Sequence, residues 1–360
     1  MTFDPPENVG GIEGRSRAYV DELTKRGHSV QLVSLSPVYD SLVQRPPDFK
    51  SVRFNSSVFR LPSAIIATLG ILRRGSFQSV LLVSGSLTMY GVSLLVICRA
   101  LQIRSVAFLY GRDILSAQGS VVRFSLLICT LSLADKLAVN SDFTRRILPK
   151  GSPKSVLIRP AVDSEMLAVA RVTARSERTR RILFVGRLVE RKGADVLINA
   201  FAELLVRQPD AKLDIVGDGP QMPPLQSLAE HLGLGDRIKF HGVLTGARLY
   251  NQFALSEVLA MPSRSSSDDV EGFGTVFLEA GIFGKPVVGT RTGGIPEAVL
   301  DEVTGLLVPD GDSHALAEAL QRILSDEELR TRMGRNGRER VESQFTLGEA
   351  VNAIEQALRA

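Results

Sequence analysis

The sequence predicts an α/β protein with two Rossmann-like domains, each a doubly wound parallel sheet, and three observations support this. The chain has 360 residues, enough for two domains of ordinary size. Short apolar runs alternate with helical patterns along its length, as they do where crossover helices connect parallel strands. An arginine-rich stretch at 171–181 separates two such series of elements. We therefore place domains at 1–165 and 166–345, followed by a C-terminal helix at 346–360 that can cross back to the first domain.

The first domain is predicted to alternate strands with helices. The strands are 30–34, 52–54, 80–83, 105–109, 136–139 and 155–158, and the helices are 13–26, 63–74, 88–101, 120–133 and 141–148. Residues 75–98 carry no charge, and their length alone permits a membrane span, which needs about 20 apolar residues. Their interruption by Ser84-Gly85-Ser86 and Tyr90-Gly91 favours a strand, a loop and a helix instead.

The second domain is predicted to follow the same plan. Its strands are 182–185, 212–216, 238–241, 258–261 and 286–289, and its helices are 192–206, 221–232, 245–254, 275–283, 295–299, 312–324 and 326–358.

The start of the chain lacks the buried strand that normally opens a doubly wound domain. Only Met1, Thr2 and Phe3 precede a Pro- and Gly-rich turn that ends at Gly11. We expect either that the first strand is missing from this sequence or that the start was assigned late. Without that strand the neighbouring backbone groups stay unpaired, so we expect a destabilised first domain.

Cysteine usage and the N-terminal residues narrow the class of protein. Cys98 and Cys129 have neither the spacing of a disulfide framework nor that of metal ligands, and they fit a reduced, cytoplasmic interior. Residues 1–14 lack the basic start and apolar run of a secretory signal.

Charge is distributed unevenly along the chain. Residues 1–165 carry 20 basic and 12 acidic side chains, against 23 and 27 in the remainder. The basic half is either an ordinary surface or a peripheral contact for anionic headgroups or a phosphate-bearing acceptor at the inner membrane face. Its arginines are dispersed and few aromatic residues accompany them, so nucleic acid is not expected as a partner.

The richest chemical signal lies at 268–279. Two acids, Glu271 and Glu279, stand eight positions apart around a Gly-Phe-Gly loop that leads into a predicted helix. That loop and the first helical turn contain Phe273, Gly274, Thr275 and Val276. The first amides of a helix have no intrahelical partner and suit a phosphate. A carboxylate on each side of a phosphate site suits a nucleotide-sugar, with one acid for the ribose and the other for the sugar.

Two basic residues follow the first strand of the second domain. Arg187 stands at the carboxyl end of that strand, and Lys192 lies at the start of the next helix. Ligands of open α/β sheets gather at this edge. Two cations there can neutralise the charge that builds on a departing diphosphate, although the same residues also suit a solvated surface.

These segments together resemble the family 4 retaining glycosyltransferases, which have the GT-B fold of two Rossmann-like domains facing each other across a cleft. The resemblance covers nearly the whole chain and lies in the Glu-x7-Glu element, in Gly186-Arg187-Leu188 with Lys192-Gly193, and at 10–11, 140–145, 160–163, 284–288 and 293–297. Within the family, residues 186–193 and 263–274 look most like the phosphatidylinositol-mannosyltransferase type.

The resemblance implies a role for each residue of the second-domain signal. Arg187 and Lys192 hold the diphosphate of the donor. Glu279 holds the ribose, and Glu271 holds the sugar hydroxyls near the reacting carbon. The backbone at Val243 faces the base.

The resemblance also implies two contributions from the first domain. The backbone at Gly11 approaches the donor phosphates across the cleft. The family usually has His-Gly at the position of Tyr110-Gly111, and that histidine faces the donor sugar. Tyr110 can hydrogen-bond a sugar hydroxyl but cannot act as an imidazole, so the chain departs from the family at this catalytic position.

The implied activity is transfer of a hexose, with retention, from a nucleoside diphosphate sugar to a lipid-linked or polysaccharide-precursor acceptor. GDP-mannose is the favoured donor, and UDP-glucose or a UDP-N-acetylhexosamine is the alternative. No enzyme nucleophile is evident, which fits the front-face substitution usually proposed for the family. No cofactor or metal is expected, since Arg187 and Lys192 supply positive charge and Asp312 is predicted to cap a helix.

Two hypotheses from other classes remain at this point. A nicotinamide-dependent dehydrogenase would need a Gly-x-Gly-x-x-Gly after its first strand, which the sequence lacks. A non-catalytic GT-B remnant acting as a binding module would explain the absent first strand and Tyr110, but not the presence of the acids and cations of the second domain.

Overall fold

The computed structural model describes residues 11–30, 66, 69–70, 72–73, 77–83, 86–172 and 179–359. The chain forms two compact units, Met1–Pro160 with Leu347–Ala360, and Ala161–Thr346. The predicted strands 30–34 and 52–54 and helix 63–74 lie wholly or largely outside the described residues, as does the start of the chain where a strand was expected to be absent.

In the described residues of the first unit, four parallel strands form a sheet. Its strands are β1 (Ser79–Leu82), β2 (Arg104–Leu109), β3 (Lys136–Val139) and β4 (Ser155–Leu157), and they pair in that order. Its helices up to β4 are α1 (Gly11–Lys25), α2 (Met89–Ala100), α3 (Gly111–Gln118), α4 (Val121–Leu133) and α5 (Asp142–Arg146). Five of the six residues of β2 are buried, as expected for a parallel strand covered on both faces.

Short polar side chains begin three of these helices. The hydroxyls of Thr88, Ser120 and Ser141 accept from backbone amides three residues further on, at 3.0, 3.4 and 3.0 Å. Each hydroxyl satisfies an amide that has no intrahelical partner.

The uncharged segment 75–98 contains β1 and the start of α2, as predicted. Among the described residues, no helix combines the length and apolar character that crossing a bilayer requires.

The second unit contains a six-stranded parallel sheet. Its strands are β5 (Arg181–Val185), β6 (Lys212–Val216), β7 (Ile238–Phe240), β8 (Val258–Ala260), β9 (Val287–Thr290) and β10 (Gly305–Val308). Its helices are α6 (Ser164–Val172), α7 (Ala194–Arg207), α8 (Met222–His231), α9 (Gly246–Leu255), α10 (Thr275–Ile282), α11 (Ile295–Ala298), α12 (Ser313–Ser325) and α13 (Glu327–Gln344).

The order of the strands in this sheet is β10-β9-β8-β5-β6-β7. The chain builds one side of the sheet from β5 to β7, then returns to β8 beside β5 and builds the other side. The direction of winding therefore reverses between β5 and β8. Open α/β sheets bind ligands beyond the carboxyl ends of the strands at such a point.

The stretch 326–358, predicted to be helical, contains two helices, and the second corresponds to the C-terminal helix predicted at 346–360. Helix α13 ends at Gln344, and α14 (Leu347–Arg359) begins three residues later. Phe345 leaves helical geometry at φ −126° and ψ 35°, and its buried ring packs against Phe273 at 5.6 Å between centroids.

Three other elements are absent from the prediction. They are α3, α6 and β10. Strand β10 begins at Gly305 and pairs only with β9, at the edge of the sheet.

Helix α14 belongs to the first unit and is joined to it by polar contacts. Arg26 Nη1 donates to Asn352 Oδ1 at 2.7 Å, and His28 Nε2 lies 2.9 Å from Glu355 Oε1. Arg104 Nη1 donates to the last carbonyls of the helix, at 2.9 and 2.6 Å. These carbonyls have no intrahelical partner, so the arginine acts as a C-terminal cap.

Gly334→Ala tests the close approach of α13 to the end of α10. A Cβ at Gly334 would clash with the carbonyl oxygen of Gly284, whereas a Cβ at Gly337 would lie 3.5 Å from Gly281 Cα, an ordinary contact. We expect Gly334→Ala to lower the free energy of unfolding by about 1–3 kcal/mol through overpacking. Urea denaturation measures the change.

Gly337→Ala is the matched control, because it makes the same substitution one turn further along the helix. Alanine has the better helix propensity, so this variant should be neutral or up to about 1 kcal/mol more stable. Equal effects at the two positions would contradict the packing described for α13.

Candidate active site

Four loops meet at the carboxyl edge of the six-stranded sheet, around β5 and β8. They are 186–193, 217–221, 261–274 and 291–294. At five glycines a Cβ would clash with a carbonyl oxygen of another loop: Gly193 with Pro262, Gly217 with Gly186, Gly219 with Leu188, Gly293 with Glu271, and Gly294 with Gly272. The missing side chains therefore set the distance between the loops.

Glu271 is held in place by the loop that follows β9. The amide of Gly294 donates to the Glu271 carbonyl oxygen at 2.9 Å, and Gly293 turns the chain with a φ of 54°. On either side of Glu271, Val270 and Phe273 are buried and anchor its loop to the core. The backbone beneath this carboxylate is thus fixed by both packing and hydrogen bonding.

The Glu271 carboxylate forms an ion cluster with its neighbours. Lys192 Nζ and Arg191 Nη1 both donate to Glu271 Oε2, the arginine at 2.8 Å. Arg191 Nε also lies 3.1 Å from Asp269 Oδ2. The four side chains are between 13 and 25% exposed. Two positive and two negative charges therefore neutralise each other largely out of solvent, which limits the penalty of burying them.

The two carboxylate oxygens of Glu271 differ in their contacts. Oε2 accepts from both cations, while Oε1 has no hydrogen bond to any residue that the structure describes. Lys192 has one further contact, with Met261 Sδ at 3.5 Å. The cluster therefore contains one saturated oxygen and one oxygen able to accept from a ligand.

The ion cluster sets the protonation state of Glu271. Burial by itself raises the pKa of this carboxyl, but the charges of Lys192 and Arg191 and their hydrogen bonds outweigh burial and lower the pKa to about 2. Burial also lowers the pKa of Arg191, and Glu271 and Asp269 reverse that effect and raise it. Glu271 is therefore an ionised acceptor at neutral pH and not a proton donor.

Helix α10 begins directly after this loop. Gly274 occupies its N-cap in left-handed geometry, with φ 86° and ψ 67°, and offers no side chain to cap the helix. The amide of Phe277 makes the first turn by donating to the Gly274 carbonyl at 3.0 Å. The positive end of the helix dipole, with Thr275 and Val276 in its first turn, thus lies beside the ion cluster.

Glu279 lies one turn inside α10 and is half-buried. It shares its surroundings with Tyr250 of α9, whose pKa is raised to about 12 by burial and by the charges of Glu165, Asp163 and Glu279. The second acid of the Glu-x7-Glu element therefore lies close enough to Tyr250 for its charge to act on that side chain.

Two other predicted residues lie on the rim of this edge. Arg187 follows β5 and is exposed, and its carbonyl accepts from the Val189 amide at 2.9 Å. Val243 is 61% exposed in the loop after β7. That loop is fixed at Gly242, whose carbonyl accepts from Gly217 at 2.8 Å.

A buried polar group supports the same loop. His241 Nε2 lies 2.7 Å from Asp214 Oδ1, and Arg181 Nη1 donates to Asp214 Oδ2 at 2.7 Å. Asp214 is 3% exposed, so both oxygens of a buried carboxylate are satisfied. The group connects β5, β6 and the end of β7.

Two predicted residues belong to the first unit. Gly11 is the first residue of α1. Tyr110 caps α3, where its amide donates to Asp113 Oδ2 at 2.9 Å, and its ring stacks on Phe108 at 4.9 Å. The ring of Tyr110 lines a small cavity with Tyr19, Val83, Phe108, Asn140, Ile158 and Pro160. The tyrosine is therefore packed into the carboxyl edge of its own sheet.

Sequence reasoning missed Arg191 and Asp269 as parts of the site. Arg191 stands next to Lys192 in a 3-10 turn, and Asp269 is two residues before Glu271. Their proximity to predicted site residues was the only signal available, since the contacts join positions about 80 apart.

Asp310 and Asp312 have an Asp-x-Asp spacing, which metal sites can use, but both accept from backbone amides. Asp312 caps α12, as predicted, by accepting from the Ala315 amide at 2.9 Å. Asp310 accepts from the Ser265 amide at 2.9 Å. Within the described ranges, no three His, Cys, Asp or Glu side chains are grouped so that they could hold a metal ion.

Comparison with known proteins identifies the class of protein. Residues 168–340 match the family described as Glycosyl transferases group 1. A GDP-mannose-dependent alpha-(1-6)-phosphatidylinositol monomannoside mannosyltransferase of Mycolicibacterium smegmatis is 32% identical over 94% of this chain and 92% of its own length. A GDP-mannose-dependent monoacylated alpha-(1-6)-phosphatidylinositol monomannoside mannosyltransferase of Corynebacterium glutamicum is 30% identical over 99% of this chain and 97% of its own length.

Solved structures agree on the fold. The Anabaena protein HepE, in complex with UDP and glucose, has a TM-score of 0.77 at 19% identity over 99% of this chain and 98% of its own. Sucrose-phosphate synthase from Thermosynechococcus elongatus has a TM-score of 0.79 at 24% identity over 97% of this chain and 93% of its own. Both likenesses support the predicted GT-B fold, with two parallel-sheet α/β domains.

The chain therefore belongs to the group 1 glycosyl transferases. This agrees with its predicted membership in the family 4 retaining glycosyltransferases. It is a hexosyltransferase, and its similarity is to the phosphatidylinositol-mannosyltransferase type. The predicted class of enzyme is confirmed.

Glu271→Gln tests the charge state of the cluster. Because the folded-state pKa is lowered from 4.5 to about 2, the ionised carboxylate stabilises the fold above about pH 4.5, and this stabilisation is lost as the pH falls towards 2. Its loss is on the order of 3 kcal/mol. We expect wild type to exceed Glu271→Gln in the free energy of unfolding at pH 6, with the difference shrinking towards pH 3. Urea denaturation across this range is the measurement.

Glu302→Gln is the control, since Glu302 is also paired with an arginine, Arg322, but both side chains are half exposed. Exposed pairs contribute little, so this variant should follow wild type closely at each pH. A difference between wild type and Glu271→Gln that stays constant with pH would contradict the lowered pKa.

Proposed function

We propose that this hexosyltransferase moves mannose from GDP-mannose to a lipid-linked acceptor of the phosphatidylinositol mannoside class, with retention at the anomeric carbon. The observation that carries the proposal is the ion cluster of Lys192, Arg191 and Glu271 beside the N-terminus of α10. The two full-length relatives named above are GDP-mannose-dependent and act on phosphatidylinositol monomannosides, which supports the choice of donor and acceptor.

The diphosphate of the donor binds between α10 and the loop after β5. The amides of Gly274, Thr275 and Val276 and the helix dipole favour an anion at this end of the helix. Lys192 and Arg187 supply the two full positive charges. Because two cations stand at the departing diphosphate, no divalent ion is needed to neutralise it.

The nucleoside extends from the diphosphate along the same sheet edge. Glu279, one turn inside α10, accepts hydrogen bonds from the ribose hydroxyls. The base lies against the backbone at Val243, in the loop that the Gly217–Gly242 hydrogen bond fixes. A buried Phe273 keeps the intervening loop in position.

Glu271 orients the sugar. Its carboxylate is ionised at neutral pH, so it does not protonate the leaving group, and its open Oε1 accepts from a sugar hydroxyl near the anomeric carbon. As the bond to the diphosphate breaks, the cations stabilise the charge on the departing oxygen, and that oxygen accepts the proton of the incoming hydroxyl on the same face. The configuration at the anomeric carbon is thereby retained.

The lipid acceptor calls for a surface that meets a bilayer, and α4 has one. Val121, Val122, Phe124 and Ile128 of this helix are 84, 68, 48 and 42% exposed. Arg123 is exposed beside them, as a contact with anionic headgroups requires. Exposed apolar side chains flanked by a cation are typical of helices that lie on a membrane surface. We infer that the enzyme binds the membrane peripherally through this helix.

Donor choice is tested by calorimetric binding of GDP and UDP, each with and without magnesium. We expect GDP to bind selectively and independently of the metal. Glu279→Ala should weaken binding by about tenfold, through loss of charge-assisted hydrogen bonds to the ribose. Glu318→Ala, at a half-exposed acid of α12, is the control and should bind as wild type does.

Selective binding of UDP would overturn the choice of mannose while leaving the class of enzyme intact. Unchanged affinity in Glu279→Ala would refute the ribose role.

Membrane contact is tested by sedimentation with vesicles that contain anionic phospholipid. Because each apolar side chain contributes roughly 1.5–3 kcal/mol when it leaves water, the double variant Val121→Asp/Phe124→Asp should reduce binding by at least about tenfold. Val206→Asp, at a valine of α7 that is 85% exposed, is the control and should not change binding. Equal losses in the two variants would mean that α4 is not the contact.

A further inference from the structure

Lys192 and Arg191 hold the same carboxylate oxygen but differ in how firmly they are held themselves. Arg191 has a second anion, Asp269, at 3.1 Å, and its carbonyl accepts from the Arg264 amide at 2.7 Å. Lys192 has only the weak acceptor Met261 Sδ besides Glu271, among the contacts that the described residues make with its ammonium. The Arg191 side chain is therefore held by two carboxylates and that of Lys192 by one, so Lys192 is the partner that can leave.

A phosphate ligand forces a choice on this cluster. Lys192 cannot keep a full charge-assisted bond to Glu271 while it neutralises a diphosphate. If Glu271 had no other cation, releasing Lys192 would leave a largely buried carboxylate unpaired, which is strongly unfavourable. Arg191, already bonded to the same Oε2, removes that penalty.

We propose that Arg191 is the permanent counter-ion of Glu271, and that Lys192 moves from Glu271 to the donor diphosphate when the donor binds. Arg191 is thus a positioning residue that acts through Glu271 and Lys192 and does not touch the donor. The proposal rests on the proposed function for its ligand. It accounts for an arrangement in which two cations share one oxygen while the other oxygen stays open.

The exchange predicts opposite effects at the two ends of the Arg191–Glu271 pair. In Glu271→Gln the lysine is no longer held by a charge, so GDP should bind more tightly than to wild type although sugar transfer falls. In Arg191→Gln the carboxylate depends on Lys192 alone, so GDP should bind more weakly. A charge-assisted hydrogen bond corresponds to about a tenfold change in each direction.

The decisive measurement is a double-mutant cycle of GDP binding by calorimetry. It uses wild type, Arg191→Gln, Glu271→Gln and the double variant. If Arg191 acts through Glu271, most of its effect should vanish once Glu271 is Gln, and the double variant should bind GDP nearly as Glu271→Gln does. An equal loss in both backgrounds would make Arg191 a direct phosphate ligand and overturn the proposal, as would weaker GDP binding in Glu271→Gln.

A second measurement tests the counter-ion role without any nucleotide. The charged groups that face Glu271 are Arg191 and Lys192 of the 3-10 turn, with Asp269 reaching it through Arg191. Removing Arg191 lets the pKa of Glu271 rise towards its ordinary value, so the acid-induced loss of stability should begin at a higher pH in Arg191→Gln. The matched control is Arg264→Gln, whose side chain pairs with Asp195 instead.

The two measurements separate the possible failures. An acid transition of Arg191→Gln that coincides with that of wild type would overturn the counter-ion role whatever the protein binds. Failure of wild type to bind either GDP or UDP would overturn the proposed donor site, and the exchange with it, even where the acid transition moves as expected.

Discussion

The close approach of loop backbones at the carboxyl edge of the second sheet is the constraint on which the site depends. The loops after β5, β6, β8 and β9 come so near one another that carbonyl oxygens occupy the space where a Cβ would stand. Only glycine permits this at Gly193, Gly217, Gly219, Gly293 and Gly294. These close contacts fix the positions of the loops relative to one another. The backbone therefore places Glu271 and Lys192 within reach of each other.

The second constraint is the burial of charged side chains, each of which is paired with an opposite charge next to it. Four ionised side chains sit largely out of water in the cluster around Glu271, and each carboxylate there faces a cation. A similar solution appears within the same sheet, where buried Asp214 is satisfied by Arg181 and His241. Burying such charges is tolerated because every one is paired, and it makes their geometry sensitive to the loss of any partner.

The two units differ in what they contribute to an enzyme of this family. The second unit contains the candidate anion site, with its helix N-terminus and paired charges, and most of this unit lies in the part of the chain that the family description covers. The first unit presents an aromatic stack at the end of its own sheet and an exposed apolar helix. In the proposed function, the donor thus meets loops fixed by close backbone contacts, and the lipid-bearing acceptor meets an exposed surface.

Much of the fold and of the candidate donor site could be predicted from the sequence, because these predictions depend on local chemistry. Alternating buried strands and helices, Gly-rich loops at strand ends, and acids flanking a helix N-terminus can all be read without knowing which segments meet. Arg187, Lys192, Glu271 and Glu279 were predicted in this way as candidate site residues, and the resemblance of their motifs to a family predicted the class of enzyme.

The tertiary structure alone decided the pairings. Lys192 and Arg191 both donate to one oxygen of Glu271, about 80 positions away. The sequence around the two cations does not predict this pairing. The structure also shows that Gly305–Val308 forms the edge strand β10, which no predicted element covers. Local sequence specifies what each segment can form; which charge faces which depends on loops brought together by strand order and by glycine contacts far apart in the chain.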